Sequence, residues 1–166
     1  MSQRHTNART RAPTTPEPTP PVGACFAGCL ATSARMLDRA LTAFYDEALR
    51  PLGVRSTQAA LLATIDAMGA PSPSELVPVL HIDQTTLSRG VERLAQQGLL
   101  RVEGDEGDAR RRRITLTRAG TRVLRDALPV WQHCQRAARA ALGADLAERL
   151  AVAAARVAAA PAGASN

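Results

Sequence analysis

Lysine is absent from this chain of 166 residues, although its arginines bring the formal net charge to +6. The usual phosphate-binding loop needs a lysine to reach the terminal phosphates, so that nucleotide site is excluded. There is no HExxH segment, and the three histidines are scattered without forming a triad visible in sequence. No enzyme, metal site or cofactor is therefore expected. Aromatic residues are also scarce: two Phe, one Tyr and one Trp. A core must then rest on Leu, Val, Ile and Ala, which bury less area per residue, and contact with a second subunit would add the missing burial. With three cysteines, no structural disulfide is expected in a reducing compartment. No apolar run reaches the length of a signal-peptide core or a membrane span, so a cytoplasmic protein without a membrane partner is expected.

What is present concentrates in residues 71–117, PSPSELVPVLHIDQTTLSRGVERLAQQGLLRVEGDEGDARRRRITLT. Ser72, Pro73 and Glu75 make a capping box with proline at the first helical position, so a helix starts at Pro73. Pro78 removes one backbone donor and keeps that helix short, over residues 73–80. His81 and Ile82 form a turn. Asp83 can accept from the free amides of a second helix, 84–97, which Gly98 ends in the left-handed conformation. Leu87, Val91, Leu94 and Ala95 make its buried stripe. Gln84, Thr85, Ser88, Arg89, Glu92 and Arg93 occupy the other face, where such side chains suit base edges and phosphates.

A hairpin follows. Leu100 and Val102 alternate with Arg101 and Glu103, and Ile114 and Leu116 alternate with Arg113 and Thr115, as in two half-buried strands. Between them GDEGDARRR carries glycines that let the backbone turn and the start of a run of four arginines, 110–113. A cationic tip of this kind suits phosphate or a narrow minor groove. Helix, turn, helix and basic hairpin place one helix in a DNA major groove with the tip beside it. The competing reading is a winged helix used for protein contacts without DNA readout. Clustered arginines have little reason to sit at an apolar protein interface.

These residues resemble the MarR-type winged-helix transcriptional regulators. The family's wing pattern is met by Asp108, Arg110, Ile114, Leu116 and Thr117, with Gly120 completing the usual ending. TTLSRGVERLAQQGLL from Thr85 is similar to the recognition helix, and RPLGVRSTQAALLATI from Arg50 to the helix before it. The resemblance implies a bacterial, homodimeric regulator, with repression the expected sign, that binds an inverted-repeat operator in double-stranded DNA and is modulated by a small-molecule or oxidant effector. It assigns recognition to Gln84, Thr85, Ser88, Arg89 and Arg93, and wing contacts to Asp108, Arg110, Arg111 and Arg112. In the family, ligands enter a cleft between the dimerisation helices and the reading head, here involving Phe44, Tyr45, Met68 and Trp131. Some members sense hydroperoxides through cysteines, which makes Cys25, Cys29 and Cys134 redox candidates by placement, against the plainer reading of inert packing.

The expected architecture is mainly α with a small β-wing. Residues 1–23 read as a disordered tail in which Arg4, Arg9 and Arg11 are solvated. Residues 24–160 form the domain: a winged-helix core at 54–117 flanked by dimerisation helices at 24–53 and 118–160. Residues 161–166 fray. Within the flanks, Leu30, Ala34, Leu37, Leu41, Phe44 and Ala48 repeat at threes and fours along a helix over 24–49. A helix over 56–68 turns Leu61, Leu62 and Ile65 inward. Thr117 caps a helix that carries Val123, Leu124 and Leu128 toward the core, bends at Pro129 and continues to 142. A last helix, 145–159, bears Leu146, Leu150, Ala153 and Val157 on one side. One subunit leaves these terminal stripes partly exposed.

Overall fold

The computed structural model describes residues 29–104 and 112–159. The chain divides into two compact units, residues 1–36 and 37–166. Six helices and one hairpin make up the described part: α1 (Leu30–Leu49), α2 (Ser56–Met68), α3 (Pro73–Leu80), α4 (Gln84–Gln96), β1 (Leu100–Glu103), β2 (Arg113–Leu116), α5 (Arg118–Leu142) and α6 (Ala144–Ala159). The strands pair antiparallel with Val102 opposite Ile114 and Glu103 opposite Arg113. This is the mainly helical, winged helix-turn-helix class that the residue pattern implies.

In the first unit, residues 29–36 are described. The first helix, expected from residue 24, is described from Leu30, and Cys29 caps it: its carbonyl accepts the N–H groups of Thr32 and Ser33, each at 3.0 Å. Cys25 lies outside the described residues.

The second unit shows why each boundary falls where it does. A short 3-10 turn, Arg50–Leu52, ends α1, and Gly53 takes φ 72° behind it. Asp46, near the end of α1, caps α2 across that turn: one carboxylate oxygen receives both the N–H and the hydroxyl of Ser56, each at 2.6 Å. Ser72 donates its N–H and hydroxyl to Glu75 Oε2 at 2.7 Å, which fixes the start of α3. His81 closes that helix at φ 52°, the one positive φ outside glycine among the described residues. Helix α4 stops at Gln96, one residue earlier than the spacing indicates, because Gln97 already turns out. The N–H of Gly98 (φ 70°) then bonds to Ala95 O and that of Leu99 to Leu94 O, both at 2.9 Å, the reversed pair of bonds that satisfies the last carbonyls of a helix.

The core lies inside the reading head. Leu61, Leu62 and Ile65 of α2 meet Leu76 of α3, Leu87, Val91 and Leu94 of α4, and Leu100 and Ile114 of the hairpin. Leu62, Ile65, Leu76 and Leu94 are fully excluded from solvent, and burying each contributes about 2 kcal/mol. The flanking helices are different. Phe44, Leu146, Val152 and Val157 are exposed in the single chain.

Two expected core residues lie outside it. Val102 is exposed, although Ile114 opposite it on β2 is buried. Leu128 is also exposed and borders a cavity, while Val123 and Leu124 pack against the core as expected.

Candidate nucleic-acid interface

Helix α4 is held on the surface by its own chemistry. At its start the carboxylate of Asp83 accepts the N–H of Thr86 at 2.8 Å and its hydroxyl at 2.7 Å. These two hydrogen bonds hold the Asp83 carboxyl below its ordinary range. Leu87, Val91 and Leu94 anchor one side in the core. Gln84, Thr85, Ser88, Arg89, Glu92 and Arg93 are all exposed. At 3.6 residues per turn, Thr85, Arg89, Glu92 and Arg93 occupy the centre of the outer face with Ser88 on its flank. Gln84 stands i, i+3 and i+7 from Leu87 and Val91, so it lies in their row and is exposed only because the helix begins there.

The hairpin is fastened to this head at three points. The N–H of Ile114 bonds to Pro71 O at 3.0 Å, and that of Thr117 to Leu99 O at 3.0 Å. Arg113 reaches Glu75 at 3.3 Å, tying the base of the second strand to the first turn of α3. Glu75 is held below the usual carboxylate range, first by the Ser72 N–H and hydroxyl and then by Arg113. On the other strand Arg101 lies 3.6 Å from Glu103. Arg112, half-buried, immediately precedes β2, whereas Asp108, Arg110 and Arg111 lie outside the described residues. The structure thus brings the recognition-helix candidates and the hairpin base onto one body.

A cavity of about 660 Å³ opens between α2 and α5, with the last turns of α1 at its edge. Tyr45 and Trp131 line it, as expected for the family cleft, but Phe44 and Met68 do not. Both are exposed and turned elsewhere. The residues that replace them are Ala59, Ala60, Ala63 and Asp66 on α2, with Thr121 and Arg125 on α5. They are legible only once the two helices are packed, since nothing in their spacing marks a cavity. The Tyr45 hydroxyl donates to Gln135, and burial pushes its phenol above the ordinary tyrosine range, with Cys134 a lesser cause.

The redox candidates divide. Cys134 is buried. Cys29 stands at the start of α1, a helix terminus that the sequence did not reveal, and its thiol is held below the ordinary range by hydrogen bonds from the Thr32 N–H and hydroxyl and the Ala31 N–H. Among the described residues no cluster of His, Cys, Asp or Glu is arranged to hold a metal ion, and no helix is long and apolar enough to cross a membrane.

This arrangement has counterparts among known proteins. The model of the MarR family matches residues 52–111. The transcriptional regulator PecS of Dickeya dadantii is 36% identical over 96 residues, a match that spans 56% of this chain and 55% of that protein. The chain thus spans about half the length of that relative. The structure of the Mycobacterium tuberculosis transcriptional regulator MosR in complex with DNA is similar at 35% identity and a TM-score of 0.69, over 78% of this chain and 93% of that one. A mutant of Escherichia coli MarR complexed with operator DNA shares the fold at 23% identity and a TM-score of 0.69, over 80% and 96% of the two chains.

Proposed function

The chain belongs to the MarR family, and from that premise we propose that it represses transcription by binding an inverted-repeat operator as a homodimer, released by a small-molecule effector. The observation that carries the reading is the outer face of α4, where Thr85, Ser88, Arg89 and Arg93 stand exposed on a helix whose opposite side is locked into the core. A polar, cationic face fixed this rigidly is what base readout requires, because each side chain must meet a base edge within hydrogen-bond distance. The similar protein MosR is a transcriptional regulator solved with DNA.

Pairing of two chains is supported by Phe44 on α1 and Leu146, Val152 and Val157 on α6, apolar side chains left in water by a single subunit. The effector belongs in the α2–α5 cavity, whose volume lies in the usual range for small-molecule sites. Asp108, Arg110, Arg111 and Arg112 serve the wing, and Gln84 stands at the margin of the recognition face. A mobility-shift assay with heparin and competitor DNA tests the reading. Retention of one DNA sequence against excess competitor supports it; equal loss of all DNA to heparin contradicts it.

A further inference from the structure

The charges of helix α5 are sorted by sign. It carries five arginines and one acid, Asp126. At 3.6 residues per turn, Arg118, Arg122, Arg125 and Arg136 fall within about 60° of one another around the axis, and Asp126 lies to one side. The buried residues Gly120, Ala127, Cys134 and Ala138 occupy the opposite side. All four arginines are exposed, and none of their side chains forms an ion pair or hydrogen bond with a described residue. In α6, by contrast, Arg149 pairs with Asp145 at 3.2 Å.

This track is placed at a cost to its own helix. Arg118 stands in the first turn of α5, where free amides favour an anion and no acid is present. Arg122 lies four residues from Arg118 and three from Arg125, so like charges are neighbours on the helix surface, an arrangement that destabilises it. An anionic partner reverses both effects. Arg139 has a plainer reason, since a cation in the last turn is favourable.

Two observations select the partner. The track has no apolar anchor, because the exposed large apolar residues of α5, Leu128 and Trp131, border the α2–α5 cavity instead. A protein partner needs such an anchor, whereas a phosphate backbone is bound by charge alone. The track is also continuous with the recognition helix. Thr117, immediately before Arg118, donates its hydroxyl at 2.6 Å to the carbonyl of Gly98 just behind α4. A groove at this junction places Arg101 beside Arg118. From Arg118 to Arg136 the track runs about 27 Å, the length of about eight base pairs.

We propose that the track is a second DNA-contact surface, which binds the phosphate backbone of the duplex flanking the operator and adds affinity without sequence preference. The assignment rests on the reading of the chain as an operator-binding regulator.

The full chain is titrated with a duplex that ends at the selected inverted repeat and with one extended on each side by about ten base pairs, longer than the track. The flanks are made in two unrelated sequences. With either flank the extended duplex binds roughly tenfold more tightly, and its log-log salt dependence is steeper by about one unit for each phosphate neutralised. The Arg118→Gln/Arg122→Gln/Arg136→Gln variant binds the short duplex as the parent chain does and loses the flank advantage. Arg125, which also borders the cavity, is left unchanged. Unchanged thermal melting confirms that the variant folds, and the flank advantage of the parent chain is read without any variant.

The proposal is overturned if the parent chain binds both duplexes equally, as it would were the track solvated or reserved for an acidic protein, or if the variant keeps the flank advantage. It is also overturned if the variant loses both duplexes alike, or if the complex with the short duplex captures a separate labelled duplex as tightly as a joined flank. Selective binding of the short duplex without a flank advantage overturns this inference alone, whereas failure of the parent chain to select any repeat overturns the reading beneath it.

Discussion

The backbone carbonyl oxygen of Leu99 lies 2.1 Å from the point where a Cβ on Gly120 would stand. Helix α5 can approach the hairpin this closely only because residue 120 has no side chain. The contact is locked by Thr117, which donates its N–H to Leu99 O at 3.0 Å and its hydroxyl to Gly98 O at 2.6 Å, and accepts the Gly120 N–H at 3.1 Å. Gly120→Ala gains about 1 kcal/mol of helix propensity. It also forces backbone apart, at about 3 kcal/mol or more, so the net effect is a clear loss. Gly90→Ala in α4 is the control. Its Cβ would meet only the side-chain end of Leu61, at 3.3 Å, and no backbone, so a shift of a few tenths of an ångström accommodates it and the change stays within about 1 kcal/mol of neutral. Thermal melting of the two variants checks both statements.

Acid should loosen the reading head before neutral or mildly alkaline pH affects it. Glu75 and Asp83 both hold their protons less tightly in the folded chain than their ordinary values, owing to hydrogen bonds from Ser72 and Thr86. The unfolded chain binds more protons at these sites, so their contribution is complete at neutral pH and falls away below about pH 4. Asp83→Asn keeps a capping group while removing the titration. Its unfolding midpoint should therefore fall less between pH 6 and pH 3 than that of the parent chain, a window in which ordinary Asp and Glu titrate at roughly pH 4. An identical fall in both proteins contradicts the assignment.

The wing gives a test in which charge counting and geometry disagree. Asp108 lies two residues before Arg110, and the proposed wing role is that it orients the guanidinium and spares rotamer freedom that a flexible arginine loses on entering a groove. Asp108→Ala makes the protein more positive yet weakens DNA binding. Arg110→Ala weakens it too, and flattens the log-log salt dependence by about one unit for each phosphate that is no longer neutralised, up to about two in a dimer. Tighter binding by Asp108→Ala with the fold intact reduces the wing to a diffuse charge.

Arg89, at the centre of the α4 face, should discriminate bases. Arg89→Ala relaxes preference at particular base pairs by about 1–3 kcal/mol each while binding to random DNA changes little. Equal loss on specific and random DNA makes Arg89 a phosphate anchor.

What the sequence revealed and what it concealed follow from the range of each interaction. Ser72 with Glu75, Asp83 ahead of α4, Gly98 behind it and Thr117 ahead of α5 all act within a few residues, so the start of α3, both ends of α4 and the start of α5 were legible to within a residue. The pairs Asp46 with Ser56, Glu75 with Arg113 and Gly120 with Leu99 exist only after packing, and no local pattern announces them. Val102 shows the limit of alternation, which says which face a residue shares but not how deeply it is buried. The cavity shows the same limit. Tyr45 and Trp131 were picked out as aromatics, but Asp66 and Arg125, which also line it, look like ordinary surface charges until α2 and α5 lie side by side.

Selection of bound DNA from a random duplex pool tests the central claim most directly, because a two-fold dimer bearing one recognition helix per subunit leaves its symmetry in the sequence it retains. The account predicts an inverted repeat whose half-site centres lie about one helical turn, roughly 10 base pairs, apart. Arg89→Ala should relax the repeat at particular positions, and Arg110→Ala should weaken retention while leaving the selected repeat in place. A pool that stays unenriched through successive rounds, or one that converges on a single asymmetric half-site, contradicts it.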